Sequence, residues 1–229
     1  MTLKKDDAIE SILTDFESFA NLVLYQLDIL EAQISSGDVS IRDKTYNEIV
    51  DNEKKLDKME VKISDKIVKT IVLYKPVASD IRRIIACYRI VISLERVGDL
   101  VMNIINFLKK IKNPKVYADL SDVIANMLIF STNMVKKSLL SFTHDDKEFA
   151  IWTIKNDSVV DELNHKLMKK AINKSKVAEE NKLLLLSFIN INEIVSNIER
   201  IADHATNIAE AAIYSFEGKD IRHLNKDIE

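Results

Sequence analysis

The stretch Glu95-Arg96-Val97-Gly98-Asp99-Leu100-Val101-Met102-Asn103-Ile104 has a twin later in the same chain, Glu199-Arg200-Ile201-Ala202-Asp203-His204-Ala205-Thr206-Asn207-Ile208. Glu95 and Glu199 stand 104 positions apart (199 − 95), as do all the paired positions between them. A second motif keeps that offset, because Asn52-Glu53-x-x-x-Asp57 returns as Asn156-Asp157-x-x-x-Asp161. Two separate motifs sharing one ungapped offset identify the chain as an internal duplication.

Outward from these motifs, apolar residues recur at helical spacing through most of the 229 residues. Phe16, Phe19, Val23, Leu27, Leu30 and Ile34 form a first stripe that ends at Gly37, a residue suited to the left-handed position after a helix. Ile49, Leu56, Met59, Ile63, Ile67 and Ile71 form a second, stopped by Pro76, whose ring disfavours helix at the residue before it. Ile81, Ile84, Tyr88, Val91 and Ile92 open a third that runs to Asn113-Pro114. The pattern then restarts. A fourth helix is expected up to Thr143-His144-Asp145-Asp146, a fifth over 147–173, and a sixth over 182–216 after a polar connection. The fold expected is all-α: two tandem, pseudo-symmetric, spectrin-like three-helix bundles over 1–112 and 113–217, with a tail over 218–229. Only three glycines and two prolines are present, too few turn formers for a β-rich chain.

An acid at i and i+4 places two carboxylates on one helix face, where they repel. Glu95 and Asp99 continue the Tyr88–Ile92 stripe, and Glu199 and Asp203 continue Phe188, Ile191 and Val195, so the acids stand in phase with core positions. In an antiparallel hairpin turning at Pro76, Glu53 and Asp57 come level with Glu95 and Asp99. A turn near Glu180 does the same for Asp157, Asp161, Glu199 and Asp203. Carboxylates facing a core need compensation, and a bound cation is the simplest. Oxygen-only ligation suits Mg²⁺, Mn²⁺, iron or Ca²⁺. Asn103 and Asn207 lie one turn further on as carbonyl ligands or supporting donors. The plainer alternative is that Arg96, Arg200 and nearby lysines pair with these acids on solvated faces.

Gly98 and Ala202 are small residues inside the motif; a mid-helix glycine costs about 1 kcal/mol, so close helix approach or ligand access is expected there. Among the histidines, Glu162-x-x-His165 resembles half of a ferritin-like di-iron motif, but that fold needs two such segments and no second one exists. His204 has Leu100 as its counterpart, which leaves it a peripheral role at most. His144 and His223 lie near chain turns and point to nothing.

Composition excludes several classes. Thirty-six acidic against 33 basic residues give a net charge of −3, without the basic face of a nucleic-acid binder. The single Cys87 excludes a disulfide within the chain and a thiolate zinc cluster. No apolar run approaches the ~20 residues of a membrane span, and no signal-peptide core opens the chain, so a cytoplasmic protein is expected. No nucleophile–base pair or glycine-rich phosphate loop appears, so no enzyme is expected; a carboxylate-bridged dimetal enzyme and an inert helical scaffold are the alternatives.

The paired Leu94-Glu95-Arg96-Val97-Gly98-Asp99 and Ile198-Glu199-Arg200-Ile201-Ala202-Asp203-His204-Ala205 resemble the signature of the PhoU family. Pro76-Val77-Ala78-Ser79-Asp80-Ile81-Arg82 resembles that family's opening of the third helix, and Glu217-Gly218-Lys219-Asp220-Ile221-Arg222-His223 its ending. The resemblance implies one metal site at Glu53, Asp57, Glu95 and Asp99 and another at Asp157, Asp161, Glu199 and Asp203. It implies a divalent or multinuclear cofactor of iron, zinc, manganese or magnesium. It implies a negative regulator of the phosphate-starvation response, linking the ATPase of the phosphate ABC transporter to a sensor histidine kinase. A homodimer is expected, meeting the membrane only through its partners. Ala202 for Gly98 and Asp157 for Glu53 depart from strict repetition and imply two unlike sites.

Overall fold

A computed structural model describes residues 2–174 and 182–222. The first apolar stripe forms α1 (Thr2–Ser35), with Phe19, Val23, Leu27, Leu30 and Ile34 wholly buried. Gly37 follows in the left-handed region at φ 67°, where a Cβ would strain the backbone. The second stripe forms α2 (Asp43–Tyr74), closed by Lys75, whose N–H donates to Ile71 O. Pro76 sits in the turn before α3 (Ser79–Leu108). Asn113 caps α4 (Pro114–His144) by accepting from Val116 N at 3.3 Å, and Pro114, whose missing N–H is no loss at a helix start, takes its first turn.

The expected fifth helix is two helices. Asn156 ends α5 (Lys147–Lys155), its Nδ2 donating to Trp152 O at 2.8 Å, and Asp157 opens α6 (Asp157–Lys174). The side-chain amide takes up a carbonyl of the last turn of α5 and competes with continuation of the helix. The sixth stripe forms α7 (Lys182–Glu217). The predicted turn at Glu180 and the side chains of His165 and His223 lie outside the described residues.

α1, α2 and α3 pack on one another, as do α4, α5, α6 and α7. The largest contact joins the two halves, α3 against α7, and α1 also meets α4. Phe16 and Phe142 stack edge-to-face at 5.2 Å at one end of the α1–α4 contact, and Gly37 meets Ser121 at the other. The repeat offset nearly exchanges these two ends, as an approximate two-fold axis between the halves requires. One contiguous core runs through both halves, from Ile12 to Ala212. Ser187 of α7 ties the linker down by accepting from Lys112 N and Asn113 N at 3.1 and 2.9 Å. Beyond α7, Ile221 is buried against Ala150, Ile154, Ala209 and Ile213.

Candidate metal centre

α2 and α3 form the antiparallel hairpin that brings the first set of acids together. Gly98 marks the close approach: a Cβ there would stand 3.0 Å from Leu56 Cδ1 and 3.1 Å from Glu53 Oε2. Glu53 is half-buried, and its Oε1 is buried without a hydrogen-bond partner. Gln26 of α1, itself fully buried, donates Nε2 to Glu53 Oε2 at 3.4 Å. Burial pushes the Glu53 carboxyl up to about 7, and the charges and hydrogen bonding of Asp99 and the charge of Asp57 add to the rise while the Gln26 bond opposes it. Glu95 is raised by burial and then by Asp99, with Glu60 and Asp57 adding and Arg96 opposing.

The second set repeats this plan. Burial raises the Asp203 carboxyl, and Asp157, Asp161 and Glu199 raise it further, against the opposing charge of Arg200. Asn164 Nδ2 donates to Glu199 Oε1 at 2.6 Å, and Thr206 Oγ1 donates to Asp157 Oδ1 at 3.2 Å. Each hairpin therefore gathers its four expected acids within electrostatic reach of one another.

Three expectations change. Tyr88 and Ile92, which the acids follow along α3, are 38 % and 37 % exposed; the buried stripe is Val91, Leu94 and Val97. The acids thus line the edge of the core: Asp57 and Asp161 are exposed, and Asp203 opens to solvent while its carboxyl is partly desolvated. Arg96 pairs with Glu95 at 3.3 Å and Asp99 at 3.0 Å from a 57 % exposed position, so pairing on a solvated face is part of the first site. Asn103 and Asn207 are exposed, one turn beyond. His204 is half-buried with Nδ1 unpartnered; burial lowers its basicity, and the charges of Arg200 and Arg96 lower it further. Sequence reading missed Gln26 and Glu60. Glu60 is visible as the acid one turn beyond Asp57, whereas Gln26 belongs to a helix that no repeat marks.

Among the described residues, no three His, Cys, Asp or Glu side chains converge on one point at ligating range. The residues nonetheless suit a hard cation, since the donors are oxygens and one buried carboxylate oxygen has no partner.

Fold and site together define a class, a duplicated all-α protein of paired three-helix bundles in which a hairpin of each half carries a matched carboxylate cluster. The chain belongs to the PhoU family: the model of the PhoU domain matches it twice, over residues 16–108 and 124–212. A Burkholderia protein called a phosphate-specific transport system accessory protein PhoU homolog is 28 % identical over 181 residues, covering 78 % of this chain and 76 % of its own. An Aquifex aeolicus homolog of the same description is 32 % identical, covering 77 % and 78 %. The crystal structure of PhoU from Pseudomonas aeruginosa superposes with a TM-score of 0.75 at 21 % identity, over 93 % of this chain and 99 % of that one. The phosphate transport system regulatory protein PhoU from Streptococcus pneumoniae gives the same TM-score at 20 % identity, over 94 % and 98 %. No described helix is long and apolar enough to cross a membrane.

Proposed function

We propose that this chain is a metal-binding negative regulator of phosphate uptake and of the phosphate-starvation response. It acts without catalysis, as a cytoplasmic homodimeric adaptor between the ATPase of a phosphate ABC transporter and a sensor histidine kinase. Family membership and the description of its relatives as accessory proteins of phosphate-specific transport support the regulatory part. The observation that carries the metal part is the Glu53 carboxylate, half-buried opposite Asp99 with one oxygen unpartnered. Glu53, Asp57, Glu95 and Asp99 would hold one cation or cluster; Asp157, Asp161, Glu199 and Asp203 would hold the other. The cation supplies positive charge that cancels repulsion across each hairpin, and so couples α2 to α3 and α6 to α7.

Two measurements test this reading. Deleting the gene in its host leaves phosphate-starvation genes expressed at high phosphate; continued repression in the deletion strain refutes the regulator role. Replacing Asp99 and Asp203 by Ala together removes stoichiometric divalent metal from protein purified without chelator. Unchanged metal content of that double variant by elemental analysis refutes the ligand assignment.

A further inference from the structure

The repeat makes the two acidic clusters comparable position by position, and they differ where a cation would matter. In the second half Asn164 Nδ2 donates to Glu199 Oε1 at 2.6 Å. The 104-residue offset puts Glu60 and Glu95 in the corresponding places of the first half. An amide satisfies a carboxylate oxygen by donating to it, and an ionised carboxylate has no hydrogen to donate. The corresponding pair is therefore a hydrogen bond in the second half and, with the charge of Glu60 acting on Glu95, a like-charge pair in the first.

A second difference lies behind the cluster. Gln26 is 0 % exposed; its Nε2 points at Glu53 Oε2, and its own Oε1 has no partner. Its counterpart in the repeat is Phe130, which packs on Trp152 with ring centroids 5.8 Å apart. Glu53 Oε1 is likewise buried and unpartnered. Arg96 bridges Glu95 and Asp99 from the solvent side and leaves that oxygen untouched.

The second half meets more of its own needs. Asp157 opens α6, where the positive end of the helix dipole favours a carboxylate, and it accepts from Thr206. Its counterpart Glu53 stands in the middle of α2, and Met102 replaces Thr206. Five carboxylates thus crowd the first half (Glu53, Asp57, Glu60, Glu95, Asp99) against four in the second, which also has two neutral donors.

We propose that the first half is the principal cation site, with Glu60 as an additional oxygen ligand and Gln26 as the positioning residue that holds Glu53, and that it binds a divalent cation more tightly than the second half. This rests on reading the carboxylates as cation ligands. One more carboxylate than the second half, only partly offset by Arg96, and an acceptor oxygen already desolvated both favour the first site, since less reorganisation is needed on binding.

Mn²⁺ titration of metal-stripped full-length protein, followed by the free-ion electron paramagnetic resonance signal, tests it. Asp203→Ala isolates the first site and Asp99→Ala the second. The isolated first site binds at least tenfold more tightly. Glu60→Asn, which copies the second half, removes most of that difference, and Asn164→Glu strengthens the isolated second site. Gln26→Leu weakens the first site at least threefold while thermal unfolding in chelator stays at or above the wild-type temperature. Equal affinity of the two halves, or an unchanged first site in Glu60→Asn, overturns this inference and leaves the cation reading standing. A Gln26→Leu loss matched by a fall in chelator-treated stability overturns the positioning role. Wild type that binds no Mn²⁺ overturns the cation reading and the inference with it.

Discussion

Gly98 shows how one residue sets the geometry of a site. Its missing Cβ leaves room for Leu56 and the Glu53 carboxylate at 3.0 and 3.1 Å. In the second half all three partners change together: Ala202 for Gly98, Val160 for Leu56, Asp157 for Glu53. Each shorter partner makes space for the added methyl. Gly98→Ala should therefore gain about 1 kcal/mol of helix propensity and lose a similar amount to crowding, leaving stability in chelator nearly unchanged. On the proposed cation reading, the displaced Glu53 should also lower cation affinity at least fivefold. Paired calorimetry of unfolding and of Mn²⁺ binding separates the two effects. A drop in stability of several kcal/mol with affinity intact would show Leu56, not Glu53, to be the neighbour that matters.

Asp220 makes a second prediction at this scale. Hydrogen bonds from the Arg222 side chain hold its carboxyl down to about 2, with Arg89 adding a weaker attraction. The folded value lies below the ordinary 3.8, so this pair stabilises the fold above about pH 4 and loses its contribution as pH falls towards 2. Asp220→Asn should lower the unfolding temperature by a small constant amount at neutral pH. That difference should shrink as pH falls below about 4 and vanish only below about pH 2 in a series of melts. A difference unchanged down to pH 2 would mean that the charge of Asp220 plays no part.

Among the elements, α7 does the most to join the halves. Packed on α3, α4, α5 and α6, it also fixes the inter-repeat linker through Ser187. Ser187 is 0 % exposed, and its hydroxyl accepts from two backbone N–H groups of the partly buried linker. Ser187→Ala leaves both donors unsatisfied, and the expected loss is roughly 1–3 kcal/mol, measured by urea unfolding. Ser187→Thr keeps the acceptor and should recover much of that loss. The break at Asn156 belongs to this scale too. The motif Asn52-Glu53 lies inside a continuous α2, and Asn156-Asp157 lies at a helix junction, so one sequence pattern serves two backbone settings.

At the scale of the molecule, each half has enough residues for a core of its own, yet one core spans both. Leu94, Val97, Leu100, Val101 and Ile104 of α3 and Ile198, Ile201, Ala205 and Ile208 of α7 are buried in that shared core, and α3 against α7 is its largest contact. A fragment ending at Asn113 would expose much of its side of this surface. Separate halves are therefore expected to aggregate or to pair with each other, and co-expressed halves to elute together. Two stable, soluble, monomeric fragments in analytical ultracentrifugation would show that each bundle suffices alone.

The duplication, the helical class and the levelled acids could all be read from the chain, because they depend on period and offset, which are properties of sequence order. Helix ends at Gly37, Pro76 and Asn113-Pro114 were readable for the same reason: a left-handed φ, a ring and a cap act on immediate neighbours. Tertiary packing decided the rest. Tyr88 and Ile92 sit on the apolar stripe by spacing, but only the docking of α3 on α7 decides which side of that stripe is covered. Gln26 reaches Glu53 across 27 positions of sequence, and no local pattern announces it. Contacts between helices depend on their rotation and separation. These are set by the whole core at once, and so appear only when the chain has folded.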